Sequence, residues 1–169
     1  MLKISKLADY GTVVMAFLAR QNGMIQNANE IAAKTGVALP TVSKILKILA
    51  RHHLLVSHRG TKGGYSLSRP PEKISVVQII HAMDGGIALT KCSQGMGLCH
   101  VEHHCVVQHN WQLISKAIQV ALDAVSLADI IRPMTNAPAL KIATTADKKS
   151  NIKRASLNTH KIELRVEKI

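Results

Sequence analysis

Aromatic side chains are nearly missing from this chain, which has one Trp, two Tyr and one Phe among 169 residues. Hydrophobic residues still make up 47%, so the core must be built from Leu, Ile, Val and Ala. That composition disfavours a sheet-rich sandwich. Acidic residues are scarce as well. Ten Asp and Glu stand against 22 Lys and Arg, a formal charge of +12, and a chain this basic is suited to polyanions. Long apolar runs are absent too. The longest, Val13 to Ala19, has seven residues, far short of the ~20 that cross a bilayer. The first ten residues carry Lys3, Lys6 and Asp9 with no apolar h-region or small-residue cleavage site, so the expected location is the cytoplasm. Cysteine is confined to residues 92 to 105 and numbers three. An odd count in one short window suits a reducing compartment and metal ligation better than a disulfide framework.

The length allows one domain, or one domain with appendages. Residues 1 to 70 hold ten basic residues against two acids, residues 71 to 140 four against five, and residues 141 to 169 eight against three. The polyanion-binding surface is therefore expected in the first half. The stretch after Pro133, including Lys148 to Arg154, has no aromatic residue and little periodicity, and reads as a flexible basic tail, 133–169.

Leu7, Tyr10, Val14, Phe17 and Leu18 recur at helical spacing, which predicts an amphipathic helix from about Ser5 to Arg20 with those residues inward. Asn22-Gly23 stops it. A second helix is expected from about Asn29 to Thr35, and a third from Leu39 to His52 with Pro40 in its first turn. Only Thr35-Gly36-Val37 separates them. A short turn containing Gly makes two helices cross sharply, the geometry in which the second enters a major groove. Val42, Ile45, Leu46 and Leu49 form the inward face of that third helix, leaving Thr41, Ser43, Lys44, Lys47 and Arg51 outward. Those neutral and basic groups suit double-stranded DNA.

Residues 54–59 and 65–67 read as two strands joined by Gly60-Thr61-Lys62-Gly63-Gly64, a wing with Arg59 and Lys62 near its tip. A nucleotide-binding loop is disfavoured, because the glycines join two strands and lack a Gly-Lys-Ser/Thr ending.

Ser75 to Met83 reads as a short apolar helix, followed by Asp84-Gly85-Gly86 and the spacing C-x6-C-x5-C of Cys92, Cys99 and Cys105. Gly95 and Gly97 would let the loop fold tightly enough to gather three sulfurs, a donor set that favours zinc or iron-sulfur. The absence of a C-x2-4-C knuckle favours iron-sulfur over zinc. His100, Glu102, His103, His104, Gln108 and His109 crowd the fourth position. Behind the loop, Val107, Trp111, Ile114, Ile118, Ala121, Val125 and Ala128 alternate steps of four and three, which predicts one long dimerisation helix over 106–132. A two-fold dimer would set its recognition helices about 34 Å apart.

Together the start KISKLADYGTVVMAFLA, the turn RGTKGGYSL, the HAMDGG segment and the three-cysteine loop before Trp111 resemble the IscR-type winged-helix regulators. The resemblance covers residues 1 to about 132 and is strongest to the branch described as SUF-system iron-sulfur assembly regulators. It implies a mainly α winged helix-turn-helix protein: a DNA-binding region over 1–83, a cluster loop over 84–105 and a homodimerisation helix. It further implies a transcription factor, usually a repressor of cluster-assembly genes, governed by a [2Fe-2S] or [4Fe-4S] cluster on Cys92, Cys99 and Cys105. Such regulators often carry a histidine three residues after the last cysteine, where this chain has Gln108 followed by His109. In the nitric-oxide-sensing sister branch an acidic residue of the partner subunit serves instead, and Asp9 matches it. The fourth-ligand candidates are thus His109, Asp9 and His104, in that order. An extra residue between Cys92 and Cys99, and the basic tail, depart from the usual pattern. A zinc- or thiol-redox-responsive regulator is the alternative. No membrane, small-molecule substrate or enzymatic activity is expected, since adjacent Cys105 and His104 would not aim at each other and no Gly-x-Ser-x-Gly motif occurs.

Overall fold

Ser5 opens the first helix, α1 (Lys6–Ala19), by accepting a hydrogen bond from the Ala8 N–H at 3.1 Å. The computed structural model describes residues 4–95, 97–101 and 104–132. The basic tail and the candidates Glu102 and His103 lie outside them. The compact unit that holds all the described residues ends at Pro133.

The buried face of α1 differs from the one its bulky residues suggest. Ala8, Gly11, Val14, Met15, Leu18 and Ala19 are buried, while Tyr10 and Val13 are 38% and 39% exposed, and Leu7 and Phe17 only edge the core. Small residues win because a second helix crosses close by. A Cβ on Gly11 would stand 3.1 Å from Met83 Cγ, so the smallest residues sit where α1 meets α4 (Val76–Asp84).

The next two helices, α2 (Ala28–Thr35) and α3 (Leu39–Arg51), form the helix-turn-helix. Asn27 caps α2 in a capping box, its Oδ1 accepting from the Glu30 N–H at 2.9 Å while Glu30 Oε2 accepts from the Asn27 N–H at 3.0 Å. Gly36 ends α2 in the left-handed region, φ 72°, and donates to the Ala32 carbonyl at 3.0 Å. Val42, Ile45, Leu46 and Leu49 are fully buried, the inward face expected of α3.

Strands β1 (Leu55–His58) and β2 (Gly64–Leu67) pair antiparallel with Leu55 opposite Leu67. Gln26 adds a bridge by exchanging both backbone hydrogen bonds with Tyr65, at 3.0 and 2.9 Å. That bridge ties the wing to the entry of α2. After a 3-10 turn, η1 (Pro71–Lys73), comes α4, whose Gln78 reaches back to the Ser75 N–H at 3.2 Å. Arg69 locks this junction, donating to the Lys73 carbonyl at 3.0 Å and to Gln78 Oε1 at 2.9 Å. A short helix, α5 (Lys91–Gln94), follows within the cysteine window.

The single helix expected over 106–132 is two: α6 (Gln108–Asp123) and α7 (Leu127–Ile131). At the elbow, residues 125–127 exchange helical bonding for a bridge to residues 74–76. Val76 N–H donates to the Val125 carbonyl at 2.9 Å and Leu127 N–H to the Ile74 carbonyl at 2.7 Å. Ser126 then caps α7. The apolar seam accordingly stops at Ala121. Leu127 and Ala128 are buried inside their own unit, at 0% and 6% exposure, and Leu127 belongs to the same core as Val14, Leu18, Ile45 and Ile79. No described helix is long and apolar enough to cross a membrane.

Candidate nucleic-acid interface and cysteine loop

A helix with four consecutive-turn residues buried must turn its other residues outward. Lys44, Lys47 and Arg51 are exposed, and Thr41 and Ser43 half-buried, on the face of α3 away from the core. At the wing, Arg59 and Lys62 are exposed on the turn between β1 and β2. None of these five cations pairs with a carboxylate among the described residues, where Arg132 and Asp129 form the ion pair, at 3.2 Å. Unpaired cations on a helix and a neighbouring hairpin are available for phosphate oxygens.

Glycine fixes the base of the wing. A Cβ on Gly64 would overlap the Gln26 carbonyl, and one on Gly63 would stand 2.8 Å from the Gly60 carbonyl oxygen. Close backbone approach, more than turn geometry, is what these positions require.

The cysteine loop leaves α4 at Gly85, which adopts φ 77°. Asp84 beside it accepts from the Ser5 hydroxyl at 2.5 Å, joining the start of the loop to the first turn of α1. Cys92, on α5, is buried at 6% exposure with its Sγ 3.1 Å from Thr90 Oγ1. Cys99 and Cys105 are half-buried, and all three thiols are free of disulfides. His104, His109 and Asp9 are exposed. Three thiolates suit an iron-sulfur cluster in kind and leave one ligand position to another donor. They are not gathered: among the described residues, no group of three or more His, Cys, Asp or Glu is assembled where it could hold a metal ion.

Sequence reasoning passed over the polar residues of α6. Gln112 Nε2 donates to the Cys92 carbonyl at 3.2 Å, Ser115 Oγ accepts from the Leu89 N–H at 3.3 Å, and Gln119 Nε2 donates to the Ile87 carbonyl at 2.8 Å. Their spacing of three and four was the available signal. Between this stretch of loop, α4 and α6 lies a groove of about 790 Å³ lined by His52, Arg69, His81, Gly86 and Lys116 among others. On α6 itself only Ser115 is buried. Val107, Trp111 and Ile114 are 39 to 45% exposed on one stripe of α6, apolar side chains left open to water at helical spacing.

Comparisons with known proteins agree with this architecture. The family model Rrf2, described as an iron-dependent transcriptional regulator, matches residues 4–133. The HTH-type transcriptional regulator IscR of Aliivibrio salmonicida is 29% identical over 132 residues, 77% of each chain. Among solved structures, T. potens IscR is similar at 29% identity and TM-score 0.58, covering 77% of this chain and 86% of the other. CymR, the global cysteine regulator of B. subtilis, is similar at 26% identity and TM-score 0.60, covering 78% and 97%.

Proposed function

This chain belongs to the Rrf2 family of transcriptional regulators, and on that premise we propose a homodimeric, DNA-binding repressor of iron-sulfur cluster assembly genes that responds to its cysteine loop. The observation that carries the DNA-binding role is the unpaired cationic face of α3 and the wing, Lys44, Lys47, Arg51, Arg59 and Lys62. In this reading Lys and Arg neutralise phosphates, while Thr41 and Ser43 reach base edges. The apolar face of α6 supports a second copy as the partner, because pairing like faces about a two-fold axis would bury it on both protomers.

The sensor is assigned to Cys92, Cys99 and Cys105, with His109, Asp9 or His104 as fourth ligand. When bound, an iron-sulfur cluster supplies thiolate bonds that depend on iron supply and redox state. The protein's own residues do the rest. Thr90 and the Gln112 amide hold Cys92 in place, and Ser5 fastens Asp84 at the loop's start. Anything that draws the loop together must work against those contacts. It can shift DNA affinity only by the difference in its own binding to two arrangements, and a factor of ~100 needs about 2.7 kcal/mol.

A thiol-responsive reading without a cluster is favoured by one observation, the three free thiols that are not gathered into a metal site among the described residues. Anaerobic purification with iron and sulfide quantitation, visible absorption and DNA binding on the same sample tests both. Coloured protein with stoichiometric iron and sulfide upholds the cluster. Colourless, iron-free protein after attempted reconstitution that still binds DNA normally overturns it, and thiol-sensitive DNA binding in such a sample upholds the alternative.

A further inference from the structure

Gln112, Ser115 and Gln119 stand at i, i+3 and i+7 of α6, one row about two turns long. The loop meets that row in reverse order: Gln119 holds Ile87, Ser115 holds Leu89, and Gln112 holds Cys92. Every bond goes to loop backbone, so the row fixes the path of the chain whatever its side chains. Ser115 is 3% exposed, and Cys92 beside the row is 6% exposed. The far end of α6 is fastened to the DNA-binding unit, where the Ser75 hydroxyl donates to Asp123 Oδ1 at 2.7 Å and Val125 and Leu127 bridge to residues 74–76.

We propose that Gln112, Ser115 and Gln119 are positioning residues that transmit the state of the cysteine loop to α6 and thereby to DNA binding. This rests on the reading of the loop as sensor and of α6 as the dimer-forming helix. The helix acts as a lever hinged at the elbow. With 16 residues α6 is about 24 Å long, so a tilt of about 5° at the elbow carries its opposite end about 2 Å. At 3.6 residues per turn the row lies about 110° around the helix from the apolar stripe of Val107, Trp111, Ile114 and Ile118. A pull from the loop therefore tilts or turns that stripe without competing for it. The groove beside Gly86 leaves the loop space to move.

The test uses the full chain and the isosteric double variant Gln112→Glu/Gln119→Glu, in which carboxylates can no longer donate to the two loop carbonyls. Ser115→Ala, which removes the acceptor for Leu89, is a second, independent variant. Affinity is measured on a duplex selected from a random pool by the wild-type protein. Each protein is assayed as purified without oxygen and again after its accessible thiols are alkylated with N-ethylmaleimide, and iron and sulfide are quantified throughout. Hydrogen exchange of residues 86–94 should quicken about tenfold in both variants. The ratio of affinities between the two loop states, within the range of roughly 5- to 150-fold for coupled sites, should fall toward one in both variants. Melting temperature and binding to random DNA should stay near wild type, which a merely structural role for the row would not require. A variant ratio equal to wild type overturns the proposal, as does a wild-type protein whose affinity ignores the loop state. An iron-free wild type that still responds to alkylation, beside variants that do not, defeats the cluster reading and upholds the role of the Gln112, Ser115 and Gln119 row.

Discussion

The backbone N–H and the hydroxyl of Ser126 both donate to one carboxylate oxygen of Asp129, at 3.0 and 2.6 Å, and the Asp129 N–H returns a bond to the Ser126 hydroxyl at 3.1 Å. This box ends the apolar seam of α6 and starts α7, whose Leu127 is buried in the core.

These hydrogen bonds from Ser126, aided by nearby Arg132, hold the Asp129 carboxyl below its usual range. A carboxylate whose folded pKa is depressed stabilises the fold above its unfolded value, about 3.9, and loses that contribution as pH falls through the folded value. Unfolding stability should therefore drop on acidification below about pH 4, and Asp129→Asn should remove that part of the dependence. Ser126→Ala should cost about 1 kcal/mol at neutral pH as the cap is lost. Denaturant titrations of the three proteins across pH 2.5 to 7, ~0.5 unit apart, would measure both effects.

DNA binding should weaken steeply with salt. Each phosphate neutralised contributes roughly −0.9 to the slope of log K against log salt. Arg59→Ala and Lys47→Ala should each flatten the slope by about that amount per protomer and weaken specific and random duplexes alike. Thr41→Ala should behave oppositely, leaving the slope unchanged while discrimination among sequences relaxes by about 1–3 kcal/mol. Anisotropy titrations over a range of potassium chloride distinguish the two classes.

Gly64→Ala should displace the wing, because the new methyl meets the Gln26 carbonyl within the Gln26–Tyr65 bridge. Overpacking against backbone costs about 1–3 kcal/mol. The expected result is a lower melting temperature together with weaker DNA binding. An unaltered protein would mean that the wing base tolerates a side chain and that its glycines serve only the turn.

The exposed face of α6 should hold the dimer. Trp111 and Ile114 are 39% and 45% exposed there, and neither is part of the core of its own unit. Ile114→Glu should shift sedimentation from dimer to monomer without lowering the secondary-structure content, and reduce operator affinity by at least about tenfold because two half-sites are no longer engaged together. A dimer that persists would move the interface elsewhere.

Much of the DNA-binding half is legible in its residues. Gly36, Pro40 and the spacing of Val42, Ile45, Leu46 and Leu49 each describe a local event, a turn, a helix start or a buried stripe. The structure places each of them as that local chemistry requires. The buried face of α1 was less legible, since apolar size points to Tyr10 and Phe17 whereas close approach selects Ala8 and Gly11.

What belongs to residues near one another in the chain, the helix-turn-helix, the glycine-rich wing, the cationic outer face of α3 and three thiols in one loop, is written in the order of amino acids, because caps, turns and periodic burial are short-range effects. The elbow at Ser126, the burial of Leu127 and the row of Gln112, Ser115 and Gln119 against the cysteine loop depend on partners 20 to 53 positions away in the chain, such as Cys92 and Ile74. Heptad spacing continues through Val125, yet there the Val125 carbonyl and the Leu127 N–H bond to residues 74–76 instead of to another turn of helix. Only packing brought them together, and that long-range competition decided where the helix breaks.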